Sequence, residues 1–274
     1  MTQARHEAAF APPLAGKRVL IIGGGGEGNG RAITRAVAAA GAAGVAVVDK
    51  DADRATEAAD EIGGLGLAAD VRVTADIDRA VAESVAGLGG LDTLITVVGG
   101  MGIFAPWDAL DATTDETWDL LLDLNLTYVF RTVRAVVKVF LEQEAGGTIV
   151  SVGSLAGTTG SPMSVAYGAA KAALVNVAAT VAAEYGRRAI RMNVLNCGII
   201  LTPGAAASIG SAVSAMVEPV PMGRAGTPQD VADAVVFLAS PQSSYISGQS
   251  LNLDGGVSAR FPLRLPNTDP SMAG

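Results

Sequence analysis

The chain is poor in the residues that staple or metallate a protein. Its 274 residues include one cysteine, Cys197, and one histidine, His6. A single cysteine rules out an intrachain disulfide, and so small a complement of Cys and His gives no support to a zinc centre, so no metal is expected. With no histidine to activate it, Cys197 reads as a small buried residue and not as a nucleophile. Cations are in deficit too, with 19 Lys and Arg against 27 Asp and Glu and a net charge of −8. Neutralising phosphates takes clustered cations, so nucleic acid is excluded as a partner. No run of about eighteen residues is free of both charge and glycine, which argues against a membrane span. Residues 1–16 contain no apolar run of signal-peptide length, so the expected setting is cytoplasmic.

What remains is aliphatic. Hydrophobic residues make up 50% of the chain but aromatics only 4%, a composition suited to helices packed closely on a sheet. Short apolar runs at 19–22, 45–48, 67–69, 91–98, 148–152, 190–195 and 250–253 read as buried strands. Between them lie helical stretches at 31–40 and 51–62, then one after Thr74, one from a Thr113/Glu116 capping box towards Gln143, and others at 164–185 and 227–238. Strand and helix alternate throughout, and the strands are apolar on both sides. That combination predicts an α/β fold with one doubly wound, parallel sheet covered by helices on both faces. No linker or repeat divides the chain, so a single domain is expected over 14–257, with a mobile tail at 1–13 and a second tail at 258–274.

The first strand runs into four glycines, and Gly24, Gly28, Asn29 and Gly30 carry the chain into the first helix. Glycines there let the backbone turn tightly and approach a pyrophosphate, whose charge is favoured at a helix N-terminus. Asp49 closes the second strand about twenty residues on, where an acid accepts hydrogen bonds from an adenosine ribose and repels a 2′-phosphate. Lys50 and Arg54 stand close enough to soften that preference for NAD over NADP. Asp70 and Val71, ending the third strand, are placed to reach the adenine edge.

Tyr167 and Lys171 are four residues apart on a predicted helix and share one face. A free phenol titrates near 10, too high for proton transfer near neutrality, and a neighbouring ammonium lowers that value. Ser154, at the end of the fifth strand, would hold the substrate oxygen. Alone, such a pair is usually a surface pair. Its position behind the glycine loop and Ser154 gives it catalytic meaning.

These motifs together resemble those of the short-chain dehydrogenases/reductases, in the branch with subunits of about 250 residues, over nearly the whole chain. Gly24, Gly28 and Gly30 match the family's TGxxxGxG loop, and Ser154, Tyr167 and Lys171 match its catalytic residues at the usual spacing. The resemblance implies a Rossmann-type sheet of about seven strands and subunits that form tetramers or dimers. By implication Asn125 supports a water-linked proton relay behind the lysine, and residues 198–202, with Ile200 and Thr202, contact the nicotinamide. The family's NNAG motif appears as Thr96-Val97-Val98-Gly99, which puts Thr96 and Gly99 beside the cofactor. Gly23 stands where a threonine is usual, and Cys197 where a proline is.

The expectation is therefore a reversible hydride transfer between NAD(H), with NADP the less favoured cofactor, and a secondary alcohol or ketone. Asn125, Ser154, Tyr167 and Lys171 form its catalytic set. The alternatives are an NADPH-dependent 3-oxoacyl-thioester reductase and a cofactor-binding regulatory protein without the chemistry. Enoyl reductases of the family's divergent branch space their tyrosine and lysine more widely. Met101, Phe104 and Trp107 could line a substrate pocket. Residues 203–221 read as a mobile lid whose composition suggests no strong charge selection.

Overall fold

A computed structural model describes residues 11–102 and 104–259. Met1–Phe10 with His6, Ile103, and the chain from Arg260 onward lie outside the described residues, and most of both expected tails lies outside them too.

Seven parallel strands form one sheet in the order β3-β2-β1-β4-β5-β6-β7. They are β1 (Arg18–Ile22), β2 (Gly44–Asp49), β3 (Leu65–Ala68), β4 (Thr93–Thr96), β5 (Gly147–Ser154), β6 (Ile190–Cys197) and β7 (Ser250–Leu253). Successive side chains alternate across a strand, and the two faces build separate cores. Leu20, Ile22, Leu94 and Ile149 point to one face, and Val19, Ile21, Ile95 and Val150 to the other. The first face is covered by α3 (Thr74–Leu88), α5 (Tyr128–Gln143) and α6 (Val165–Tyr185). The second is covered by α1 (Asn29–Ala39), α2 (Ala52–Asp60) and α9 (Pro228–Ala239). The strands read as unbroken apolar runs because both faces are buried.

The chain winds outward from β1 to β3, then returns to lay β4 beside β1 and winds the other way. Loops leaving the C-terminal ends of β1 and β4 therefore diverge, and the crevice between them is where ligands bind in such sheets.

Several boundaries differ from the sequence pattern. The third strand starts at Leu65, inside a glycine-rich stretch whose low strand preference hides it. The fourth stops at Thr96 and begins only at Thr93. The backbone of Leu91 is instead held by the Gln143 amide in two hydrogen bonds of 2.8 and 2.7 Å. The cap of α4 (Asp115–Leu122) is Thr114, whose hydroxyl accepts from Thr117 N, whereas the Thr113 hydroxyl turns back to Ala109 O. The expected long helix is α4 and α5 joined by a π-helical turn, Asp123–Thr127. Residues 203–221 include two short helices, α7 (Pro203–Ile209) and α8 (Val213–Val217). By length and composition, Val165–Arg188 could also cross a membrane, with a mean hydropathy of 1.4. In this fold it packs Leu174, Ala178 and Val181 into the core and buries Lys171.

Candidate active site

Gly28 caps α1 with a φ of 119°, which an L side chain rarely adopts, and it lies against the Thr202 side chain. Gly30 packs so tightly on the turn that a Cβ there would fall on the Gly23 carbonyl oxygen. The Gly24 carbonyl accepts from the Thr34 hydroxyl at 3.1 Å, which ties the turn to its own helix. Asn29, the first residue of α1, leaves its Oδ1 buried with no partner among the described residues. Asp49, at the end of β2, lies beside Gly25 and Gly26. The two cations near it are already paired, Lys50 with Asp70 at 3.9 Å and Arg54 with Asp51 at 3.7 Å.

Across the crevice, β5 delivers Ser154, and α6 delivers Tyr167 and Lys171 one turn apart. The Lys171 Nζ donates to the Val152 carbonyl at 3.0 Å and stands 5.7 Å from the centre of the Tyr167 ring. Burial pulls the Lys171 ammonium down to about 8. Burial also raises the Tyr167 phenol, and a hydrogen bond with the Ser154 hydroxyl works against that rise. The expected lowering of the phenol by the ammonium is thus not produced by the protein alone. The ammonium is spent on a carbonyl, and desolvation dominates both groups.

Asn125 sits behind this pair, in the π-helical turn. Its Oδ1 accepts from Gly100 N at 2.9 Å, and its Nδ2 donates to Leu121 O and Gly100 O at 3.0 and 3.2 Å. Such turns recur at functional sites because they break the regular helix ladder. Here the turn clamps the loop after β4. Gly99 fills the gap between Asn125 and Lys171, with a φ of 151°, and a Cβ on it would lie 2.6 Å from Asn125 Oδ1.

Of the residues singled out from sequence, Asn29, Gly99, Ser154, Tyr167, Lys171, Ile200 and Thr202 line one cleft of about 350 Å³. Asp70 and Val71 lie apart from it. The Asp70 carboxylate accepts from Arg72 N, and Val71 is buried in the core. Thr96 is buried inside the sheet, where its hydroxyl donates to Ser151 at 2.9 Å and so links β4 to β5 without the asparagine usual there. Met101 and Trp107 line the cleft; Phe104 does not line it. The sequence reading missed Glu27 at the cleft, placed Gly204 and Ala205 only within the expected lid, and gave Cys197 no place there. Burial pushes the Cys197 thiol up to about 12, against the pull of Lys171. Glu27 was readable, since it sits within the glycine loop. Gly204 and Ala205 carry no chemical signal.

A nicotinamide dinucleotide fits what these residues offer. A tight glycine turn opens a helix, Asn29 holds a buried polar atom unpaired among the described residues, and an acid whose neighbouring cations stand by other acids closes β2.

Comparison with known proteins agrees with this geometry. A family model described as enoyl-(acyl carrier protein) reductase matches residues 25–258. The 2-(S)-hydroxypropyl-CoM dehydrogenase 3 of Xanthobacter autotrophicus is 37% identical over 88% of this chain and 96% of its own. The D-threitol dehydrogenase of Mycolicibacterium smegmatis is 36% identical over 95% of this chain and 100% of its own. A short-chain type dehydrogenase/reductase from Mycobacterium marinum superposes with a TM-score of 0.82 at 28% identity, covering 91% of this chain and 98% of that one. The chain belongs to the short-chain dehydrogenase/reductase family. It is an oxidoreductase whose redox partner is a nicotinamide dinucleotide, NAD or NADP.

Proposed function

We propose that this enzyme oxidises a secondary alcohol, or reduces the corresponding ketone, with NAD(H), using Tyr167 as the general acid and base. The observation that carries the reading is the convergence of Ser154, Tyr167 and Lys171 on one cleft beside the glycine turn. A bound nicotinamide ring supplies the carbon that accepts or donates the hydride, together with a positive charge in its oxidised form. In the oxidation direction, the Ser154 hydroxyl holds the substrate oxygen while ionised Tyr167 takes the hydroxyl proton. Lys171, held by the Val152 carbonyl, puts a cation beside the phenolate. Asn125 fixes the loop bearing Gly99 and Gly100, so the floor beneath Lys171 keeps its shape. In the reduction direction Tyr167 returns the proton.

The preference for NAD rests on Asp49, beside which Lys50 and Arg54 already stand within 4 Å of other acids, Asp70 and Asp51. Because binding to the folded state raises the melting temperature, NADH should raise Tm by several degrees more than NADPH at equal concentration. The reverse order would overturn the cofactor preference and favour a 3-oxoacyl-thioester reductase. Tyr167→Phe should lose roughly 1,000-fold or more in kcat on any alcohol the wild type oxidises, with the NADH-dependent Tm shift intact. Full activity in that variant would end the reading.

A further inference from the structure

Among the described residues, the loops that border the cleft lack a free cation. The residues from Val97 to Thr114, after β4, include Asp108 and Asp111 and no Lys or Arg. Those from Gly198 to Thr202, after β6, carry no charge at all. Residues 203–221 carry one charged side chain, Glu218. The next cation along, Arg224, is held by both oxygens of Asp230 at 2.8 and 2.9 Å. Among the described residues lining the cleft, Lys171 is the one cation and Glu27 the one anion. Lys171 is 3% exposed and already bonded to the Val152 carbonyl, so it cannot leave to meet a distant substrate charge.

Met101 and Trp107 also line the cleft, with the Trp107 indole Nε1 beside Gly102. These side chains offer dispersion contact and one hydrogen-bond donor. An anionic group entering here would give up part of its hydration without gaining a countercharge, which is costly. The whole chain, at net charge −8, adds a field of the same sign.

We propose that the substrate is an uncharged secondary alcohol or ketone, and that the site discriminates against otherwise identical molecules carrying a carboxylate, sulfonate or phosphate. This rests on the hydride-transfer reading above and narrows its substrate class.

The test uses matched ketones that differ only in charge. With NADH, hexan-2-one and 5-oxohexanoate share their reacting end, and the second carries a carboxylate in place of a terminal methyl. The full-length enzyme should show kcat/KM roughly 100-fold higher for hexan-2-one, mostly through KM. Ala205→Lys, which adds a cation to the cleft wall, should shrink that ratio at least tenfold at low salt, and the gain should fade as salt rises. Equal or better use of 5-oxohexanoate by the wild type would overturn the proposal and leave hydride transfer standing. Turnover of neither ketone, nor of any other alcohol or ketone in a panel, would instead sink the hydride-transfer reading itself.

Discussion

At the scale of single residues, the site holds three groups out of their ordinary protonation range, Lys171, Tyr167 and Cys197. Lys171 is nine-tenths buried or more, and its ammonium is brought down to about 8 from the ordinary lysine value of 10.5. A base lowered on folding binds fewer protons when folded than when unfolded, so its charged burial costs stability below about pH 8. That cost fades as pH rises towards 10.5, where the unfolded chain also loses the proton. Lys171→Met should therefore be more stable than wild type at pH 7, by on the order of 3 kcal/mol at most. The advantage should shrink between about pH 8 and 10.5 in urea titrations. Tyr167 and Cys197 are raised and act in the opposite sense. Both variants contain them, so their own burial cancels in the difference, which keeps the lysine together with its pull on Cys197. A pH-independent difference would show that Lys171 is not held in this way. Ser154, Tyr167 and Lys171 were all legible in the sequence, because their spacing and order are local properties of one strand end and one helix turn. The protonation of the pair was not legible, since it depends on what buries them and on the Val152 carbonyl.

At the scale of elements, the decisive one is the π-helical turn around Asn125. Reading the helix as continuous from its cap to Gln143 identified the right residues but not the interruption. The interruption is set by what Asn125 grips, Gly99–Gly100 of a loop some 25 residues earlier. Gly99→Ala should test that grip. Its Cβ would press on Asn125 Oδ1 from a backbone conformation that L residues rarely adopt. Activity should fall at least tenfold, with a stability loss of about 1–3 kcal/mol and cooperative unfolding retained. Activity at the wild-type level would mean that the loop and Asn125 do not need this geometry. Thr96 teaches a similar lesson. The sequence marked it as a departure beside the cofactor, but the register of β4 on β5 turns it inward, where it links two strands through Ser151.

At the scale of the whole molecule, α6 is apolar around its circumference, and one face of it stays uncovered. Ala169, Ala172, Asn176, Ala179 and Ala183 form an exposed stripe of mostly small residues, and small side chains let a second helix approach closely. On the sheet edge, β7 leaves Leu251 exposed, and Tyr245, ahead of β7 in the chain, is fully exposed. A homo-oligomer, dimer or tetramer, should accordingly be seen by light scattering at micromolar concentration. A mass of one chain, 27.5 kDa, would rule it out.

By itself the sequence determined the fold class, the order of its strands and helices, the glycine turn, the acid after β2, and the Ser–Tyr–Lys set. Each of these is written in local periodicity or short spacing. The tertiary structure alone decided which residues share the cleft, because that depends on β1 and β4 meeting from distant parts of the chain. It turned Thr96 away from the cleft, set Gly99 between Asn125 and Lys171, and placed Lys50 and Arg54 by acids other than Asp49. It also brought the loops after β1, β4 and β6 to one cleft, in which Lys171 is the one cation among the described lining residues. Charge and burial act through distance in space, and no spacing along the chain encodes them.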